Sequence, residues 1–460
     1  MKTRLLLTLL LMLSMVESVR GQSSIWYFPG CITDTTIIRE WKDGSYLVYS
    51  RSGSSHKVTL HDDNASTAVS VQLPSYVRIN DFRIANDTVF AGGYMQNATS
   101  KVGLLACFDI NDMLGGSGSF QCMTFNYNPM SSDCCDVDYY DQVTEVKRIT
   151  LFKDGSLTRI AYVARNNILS SASGPVVYPN RVGYGDAAFS GGIWTVNYYH
   201  YNKDGIEEYT DIACTDNHIV VPARDTVNEW LHFVVLNRSA DYAYYCHPDA
   251  PDIYLFSDHT VADRQVTVTE CGNERVAMAY NYRDALNPGI AVKILDVSTG
   301  VPVLLHGVDI PLPSSAYVGT VRDIRYSLSG NCLWLLTDTD SPVTGIWNGY
   351  VFRIDLGNVY AGFYEARFVP GWKLYSLDHY NGNGFITSGC DNGELTVYHD
   401  IYGVEYYVCG DGEKVHGVPA TPALSVISRH HCPTLPTFFP YNIPFTTFEE
   451  EAIHKCKSEE

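Results

Sequence analysis

Four aspartates set inside short β-branched and apolar runs carry most of the chemistry open to this chain. Asp81, Asp211, Asp323 and Asp378 each lie on or beside such a run, and Lys147, Arg325 and His379 occupy comparable places. A pair of carboxylates at a fixed separation is what glycoside hydrolysis requires, one as acid and one as base or nucleophile. Carboxylates in strands also accept hydrogen bonds from backbone amides of a neighbouring unit, a purely structural use. Sequence spacing leaves both readings open. There is no Gly-x-Ser-x-Gly elbow, no His-Glu-x-x-His pair and no phosphate loop.

Two further groups have metal-ligand character. Asp133, Asp136, Asp138 and Asp141 form the densest acidic cluster in the body of the chain, around the vicinal Cys134-Cys135. Alternating aspartates on a loop can converge on calcium, which takes roughly six to eight oxygen ligands. The spacing is not that of an EF-hand, so a calcium site and a solvated loop both stand. His430-His431-Cys432 brings soft ligands together, but zinc needs a fourth donor. Cys432 as a disulfide partner that pins the tail is the alternative.

The elements that must position these residues are strands. Tyr76 to Met113 reads as strand, tight turn, strand, loop, strand. Ile79, Phe82 and Ile84 lead into an Asn86-Asp87 turn, Thr88–Gly92 runs back, Val102–Ile110 follows, and Ser119–Phe125 supplies a fourth strand. Weaker copies open at Thr36–Glu40, Thr144–Thr150, Glu208–Ala213, Gln265–Thr269, Thr320–Tyr326 and Lys373–Asp378. From Asp81 the equivalent positions are Lys147, Asp211, Thr267, Asp323 and Ser376, about 60 residues apart, longer than the best-known propeller repeats. Turns such as Lys42-Asp43-Gly44-Ser45 and Lys153-Asp154-Gly155-Ser156 supply the positive φ of tight hairpins. Third strands fall at Trp230–Asn237, Gly289–Asp296, Gly349–Asp355 and Glu394–His399. The pattern predicts an all-β chain: a single β-propeller over residues 22–431, best suited to seven blades of four antiparallel strands, with six or eight blades left open because the first unit is the least regular. Helical periodicity is confined to Phe448–Ser458.

The signature Ile79-Asn80-Asp81-Phe82, followed by Asn86-Asp87-Thr88-Val89-Phe90-Ala91-Gly92, resembles the blades of uncharacterised secreted β-propeller proteins of Bacteroidetes and seven-bladed-propeller-like repeats in general. The resemblance covers most of residues 25–428 as an architecture and a unit or two as sequence. It implies a propeller fold and an exported protein, and it brings no catalytic residues with it.

Address and surface follow from composition. Lys2 and Arg4 precede the apolar run Leu5–Val16, and Val19-Arg20-Gly21 precedes Gln22, the pattern of a signal peptide over 1–21. Export to the periplasm, cell surface or medium is the expectation, with no transmembrane segment in the mature chain. The formal net charge of −19 repels phosphate backbones and makes nucleic acid a poor partner. Thirteen cysteines in an exported chain suggest disulfides, and Cys107 and Cys122, placed about the Asp112–Ser117 turn, form one arguable pair. Residues 432–460 are Pro-rich and then acidic, a tail outside the strands. The 33 tyrosines, clustered at Tyr198-Tyr199-Tyr201 and Tyr242-Tyr244-Tyr245, pack between blades or present rings to a glycan or peptide. The expectation is a non-catalytic binding protein for a glycan, peptide or surface protein, with Asp81, Asp211, Asp323, Arg325, Asp378 and His379 as ligand-binding candidates. The alternative is a polysaccharide-active hydrolase or lyase with carboxylates at the propeller channel.

Overall fold

A computed structural model describes residues 23–400 apart from stretches between strands, the longest being 130–138, 198–206 and 239–252. The proposed leader at 1–21, the tail at 432–460 with His430-His431-Cys432, and Phe448–Ser458 lie outside the described residues. So do Asp133, Asp136 and Asp138, whereas Asp141 belongs to the strand Tyr139–Asp154, paired with Ile168.

Turn chemistry sets the local structure. Asn86 and Asp87 adopt φ of 49° and 63°, the left-handed pair that a two-residue hairpin needs, and they reverse Val77–Ala85 into Thr88–Gln96. Among the described residues, repeated hairpins of this kind generate seven antiparallel sheets of four or five strands. Their inner strands are Thr35–Glu40, Val77–Ala85, Tyr139–Asp154, the pair Glu207–Tyr209 and Ala213–Cys214, Val261–Glu270, Val318–Ser327 and Lys373–Tyr380. Each opening strand expected from the sequence falls on one of these. Every inner strand packs against the next sheet, and Lys373–Tyr380 packs on both Val318–Ser327 and Thr35–Glu40. The sheets therefore close a ring, and the chain is a β-propeller.

Closure is covalently split. Ser23–Ile32 joins the last sheet by pairing antiparallel with Glu394–Asp400, Ser23 opposite Asp400 and Trp26 opposite Val397. Apolar layers fill the wedges between sheets. Ile37, Leu47, Tyr49, Phe82, Val89 and Leu104 fill the first wedge, and Phe90, Leu105, Val146, Ile149 and Tyr162 another. Glycine is required where backbones meet. A Cβ on Gly93 would collide with the Arg78 carbonyl of its paired strand, and one on Gly92 would overlap the Val146 and Ile149 methyls of the next sheet.

Two local expectations are corrected. The segment between Lys101–Asp109 and Gln121–Thr124 holds a short helix, Ile110–Leu114, with the Asp109 carboxylate accepting from Asn111 N–H at 2.7 Å. This insertion shifts the register, so Cys122 stands opposite Ala106 and Gln121 opposite Cys107. One residue of slip puts the two thiols on opposite faces, and both are free. No helix among the described residues is long and apolar enough to cross a membrane.

Gly93→Ala is expected to destabilise the ring by about 1–3 kcal/mol, the usual cost of forcing extra volume into a packed site. Urea unfolding of the purified variant checks it.

Candidate functional site

Four of the inner strands share a β-bulge at a comparable place. Register shifts fall between Ile79 and Asp81, Val146 and Arg148, Val321 and Asp323, and Leu374 and Ser376. The extra residues are Asn80, Lys147, Arg322 and Tyr375, and the residue after each faces the centre. Lys147 is thus not the counterpart of Asp81. Arg148 takes that place, and Lys147 turns instead to Glu208 at 3.4 Å.

Each aspartate at the centre is fastened to the neighbouring sheet. Asp81 accepts from Ile149 N–H at 3.2 Å, Asp211 from Val268 N–H at 3.0 Å and Asp323 from Leu377 N–H at 3.4 Å. Asp378 accepts from Glu40 N–H at 3.0 Å, and the Ser376 hydroxyl takes the same part for Ile38 N–H at 3.2 Å. Asp211, Asp323 and Asp378 also accept from the amide that follows them in the chain.

Guanidinium groups fill the space between these acids. Arg39 donates to Asp81 at 2.7 Å and lies 3.7 Å from Asp323 on the sixth sheet. It also donates to the Phe82 carbonyl at 2.9 Å and to the Ser376 hydroxyl at 2.8 Å. Arg83 meets Asp81 at 3.2 Å, and Arg325 meets Asp323 at 3.0 Å and Asp378 at 3.8 Å. Arg148 reaches the carbonyl of Arg322 at 3.3 Å, linking the third sheet to the sixth. Four aspartates and four arginines thus balance within one buried centre.

The electrostatics follow from burial set against charge. Burial alone raises the Asp81 carboxyl, but Arg83, Arg39, Arg148 and Arg325 bring it down to about 2. Asp378, opposed by burial and helped chiefly by His379 with Arg39 and Arg325, sits well below the usual carboxylate range. Asp211 goes the other way, because burial outweighs Arg148 and the two amides that donate to it. The Asp378 carboxylate holds His379 up at about 9, assisted by their hydrogen bond and by Glu40. His379 lies 3.2 Å from Asp378 and 3.4 Å from Glu40, and its side chain is 48% exposed. It is the accessible member of the group.

The structure therefore gathers Asp81, Asp211, Asp323, Arg325 and Asp378 at one centre, with His379 at its margin. Arg39, Arg83 and Arg148 complete it and were missed. Their signal was a charged residue inside an otherwise apolar strand, as in Ile37-Ile38-Arg39, rather than any motif. Among the described residues no three His, Cys, Asp or Glu side chains converge as metal ligands.

No family model matches the chain, and no curated protein matches it. Solved structures align with the chain at low identity. A streptogramin B lyase aligns at 10% identity and a TM-score of 0.45, over 82% of this chain and 97% of its own. Polysaccharide lyase Uly1 aligns at 9% and 0.45, over 82% and 91%. An ulvan lyase aligns at 9% and 0.43, over 71% and 82%.

Arg39→Met should cost about 3 kcal/mol or more, because it strands buried carboxylates without their partner; denaturant unfolding at neutral pH measures it. A proton titration of His379 by NMR should give a value near 9 and fall toward that of free imidazole in Asp378→Asn. Since the folded value is the higher one, the stabilisation is complete below about pH 6.5 and is lost as pH rises through about 9.

Proposed function

We propose that this protein is an exported, non-catalytic binding propeller whose ligand is a glycan, a peptide or another surface protein. The ligand is taken at the end of the ring where His379 is exposed. The observation that supports this reading is the engagement of the central acids. Asp81, Asp211, Asp323 and Asp378 each hold a neighbouring sheet through a backbone amide. A general acid must be free to hand over a proton at the reacting bond, and groups committed to ring closure are poorly suited to that task. His379, cationic at neutral pH between Asp378 and Glu40, offers donors to a polar ligand without chemistry.

The reading extends to the rest of the chain. The seven sheets are taken as seven blades of one ring over residues 22–431, behind a cleaved leader at 1–21 and ahead of a tail at 432–460. Calcium at Asp133, Asp136, Asp138 and Asp141 is an accessory part of it. A polysaccharide hydrolase or lyase at the same mouth is the second reading, favoured by the exposure of His379 between two carboxylates.

Thermal unfolding against glycans, peptides, calcium and EDTA tests both. A ligand at about 100 times its dissociation constant adds roughly 2.7 kcal/mol of stability. The expected outcome is a selective shift with a glycan or peptide that disappears in His379→Ala, with no product after prolonged incubation. Turnover of the shifting glycan, lost in the same variant, would replace the binding reading with the enzymatic one.

A further inference from the structure

The outermost strand of the fifth sheet, Val303–Pro311, pairs on one side only, with Pro288–Asp296. It also carries an apolar run. Among the described residues eight large apolar side chains are exposed, and four of them fall together here. Val301 stands just ahead of the strand, and Val303, Leu304 and Leu305 open it at 52%, 44% and 37% exposure. No other outer strand among the described residues shows more than one. Scattered aliphatics are ordinary on a surface, whereas a contiguous run marks a place that another element covers. Leu305 is the extra residue of a bulge, so the run flanks a regularly paired edge over 306–311. An open edge of this kind invites a strand.

One segment of the chain has the pattern such an edge requires. Over 435–445 the odd positions are Leu435, Thr437, Phe439, Tyr441, Ile443 and Phe445, and the even ones include Pro436, Pro440 and Pro444. In a strand, alternate residues send their side chains to one face and their N–H and C=O groups to one side. The odd set is thus a largely apolar face with an unbroken row of donors. The prolines all fall in the other parity, where the missing N–H would face solvent and no ladder bond is lost. Proline at this density bars a central strand but suits a final one, because outward prolines stop a further strand from adding. The segment lies outside the described residues. Residues 401–434 join it to Glu394–Asp400, a reach of up to about 110 Å. That exceeds the width of a compact ring of about 400 residues, whose radius of gyration is about 21 Å.

We propose that residues 435–445 add to Val303–Pro311 as a further strand of the fifth sheet, within one chain, and close its edge. Eleven residues of segment match nine of strand. The odd-numbered face lies beside Val303, Leu304 and Leu305, and the odd N–H groups donate to carbonyls of 306–311. The rim of this sheet then presents prolines to solvent. Nothing here depends on the mouth at His379.

The test uses the full-length chain, with hydrogen exchange read residue by residue. Amides of 306–311 that face away from Pro288–Asp296 are expected to exchange at least tenfold more slowly than in an unstructured peptide. Thr437→Pro, which removes a donor of the inward parity, should return them to the unstructured rate. Asn442→Pro, in the outward parity, should leave them protected. A photoreactive benzoylphenylalanine in place of Phe439 should cross-link to 301–311 within a single chain. Leu304→Lys, at an exposed position, should weaken that cross-link at least fivefold without lowering the unfolding temperature. Unprotected amides in the unaltered chain would overturn the proposal. So would equal effects of the two prolines, cross-links that map elsewhere, or cross-linked pairs of chains, which would give the edge to a second copy.

Discussion

The ring depends on where the Arg39 guanidinium can go. It is buried, it cannot lose its charge, and unpaired it would be among the costliest groups a protein interior can hold. Its position on the first sheet places Asp81 and the Phe82 carbonyl of the second sheet within reach, together with Ser376 of the seventh and Asp323 of the sixth. One side chain is therefore satisfied only when four sheets stand in their proper places. Buried ion pairs contribute little net stability against an apolar core of equal volume, but breaking one is severe. The centre thus penalises wrong arrangements more than it rewards the right one.

Stability itself comes from the wedges between sheets. Leu47, Tyr49, Phe82, Leu104, Val146, Ile149 and Trp334 are buried completely or nearly so, and their layers run from sheet to sheet around the ring. Gly92 sits where the Val146 and Ile149 methyls of the next sheet leave no room for a side chain, and Gly93 where the paired strand of its own sheet does the same. Apolar layers are tolerant of rotation about the ring axis. The bulges and the amide-to-aspartate bonds fix that rotation, because each acid can meet only one amide of the following sheet.

Strand period and turn chemistry made most of this fold legible. The Asn86-Asp87 pair announced its left-handed turn, and the third strands Pro288–Asp296 and Glu394–Asp400 match their expected spans within a residue or two. Asp81, Asp211 and Asp323 were recognisable as equivalents because each sits at the same remove from a turn. Bulges defeated the finer reading. An inserted residue does not alter composition, so nothing separated Lys147 from Arg148 as the inward-facing one. The same slip of one residue undid the Cys107–Cys122 pairing, where a helical turn stood in place of a simple reversal. Arg39 and Arg83 were hidden for a different reason: a lone arginine in a strand reads as an exposed position, and only the ring brings the acids that neutralise it.

The pairing of Ser23–Ile32 with Glu394–Asp400 has a consequence for assembly. This clasp joins the two ends of the described chain, so it cannot form until nearly the whole polypeptide is available. Contacts of such long sequence separation are slow to form, because the loop entropy must be met before the pairing rewards it. Until then the last sheet carries a vacant edge, with unpaired amides and carbonyls that invite a strand from another molecule. A ring held by such a clasp is vulnerable chiefly in its youth: once Ser23–Ile32 is in place, the edge of Glu394–Asp400 is no longer open to a foreign strand.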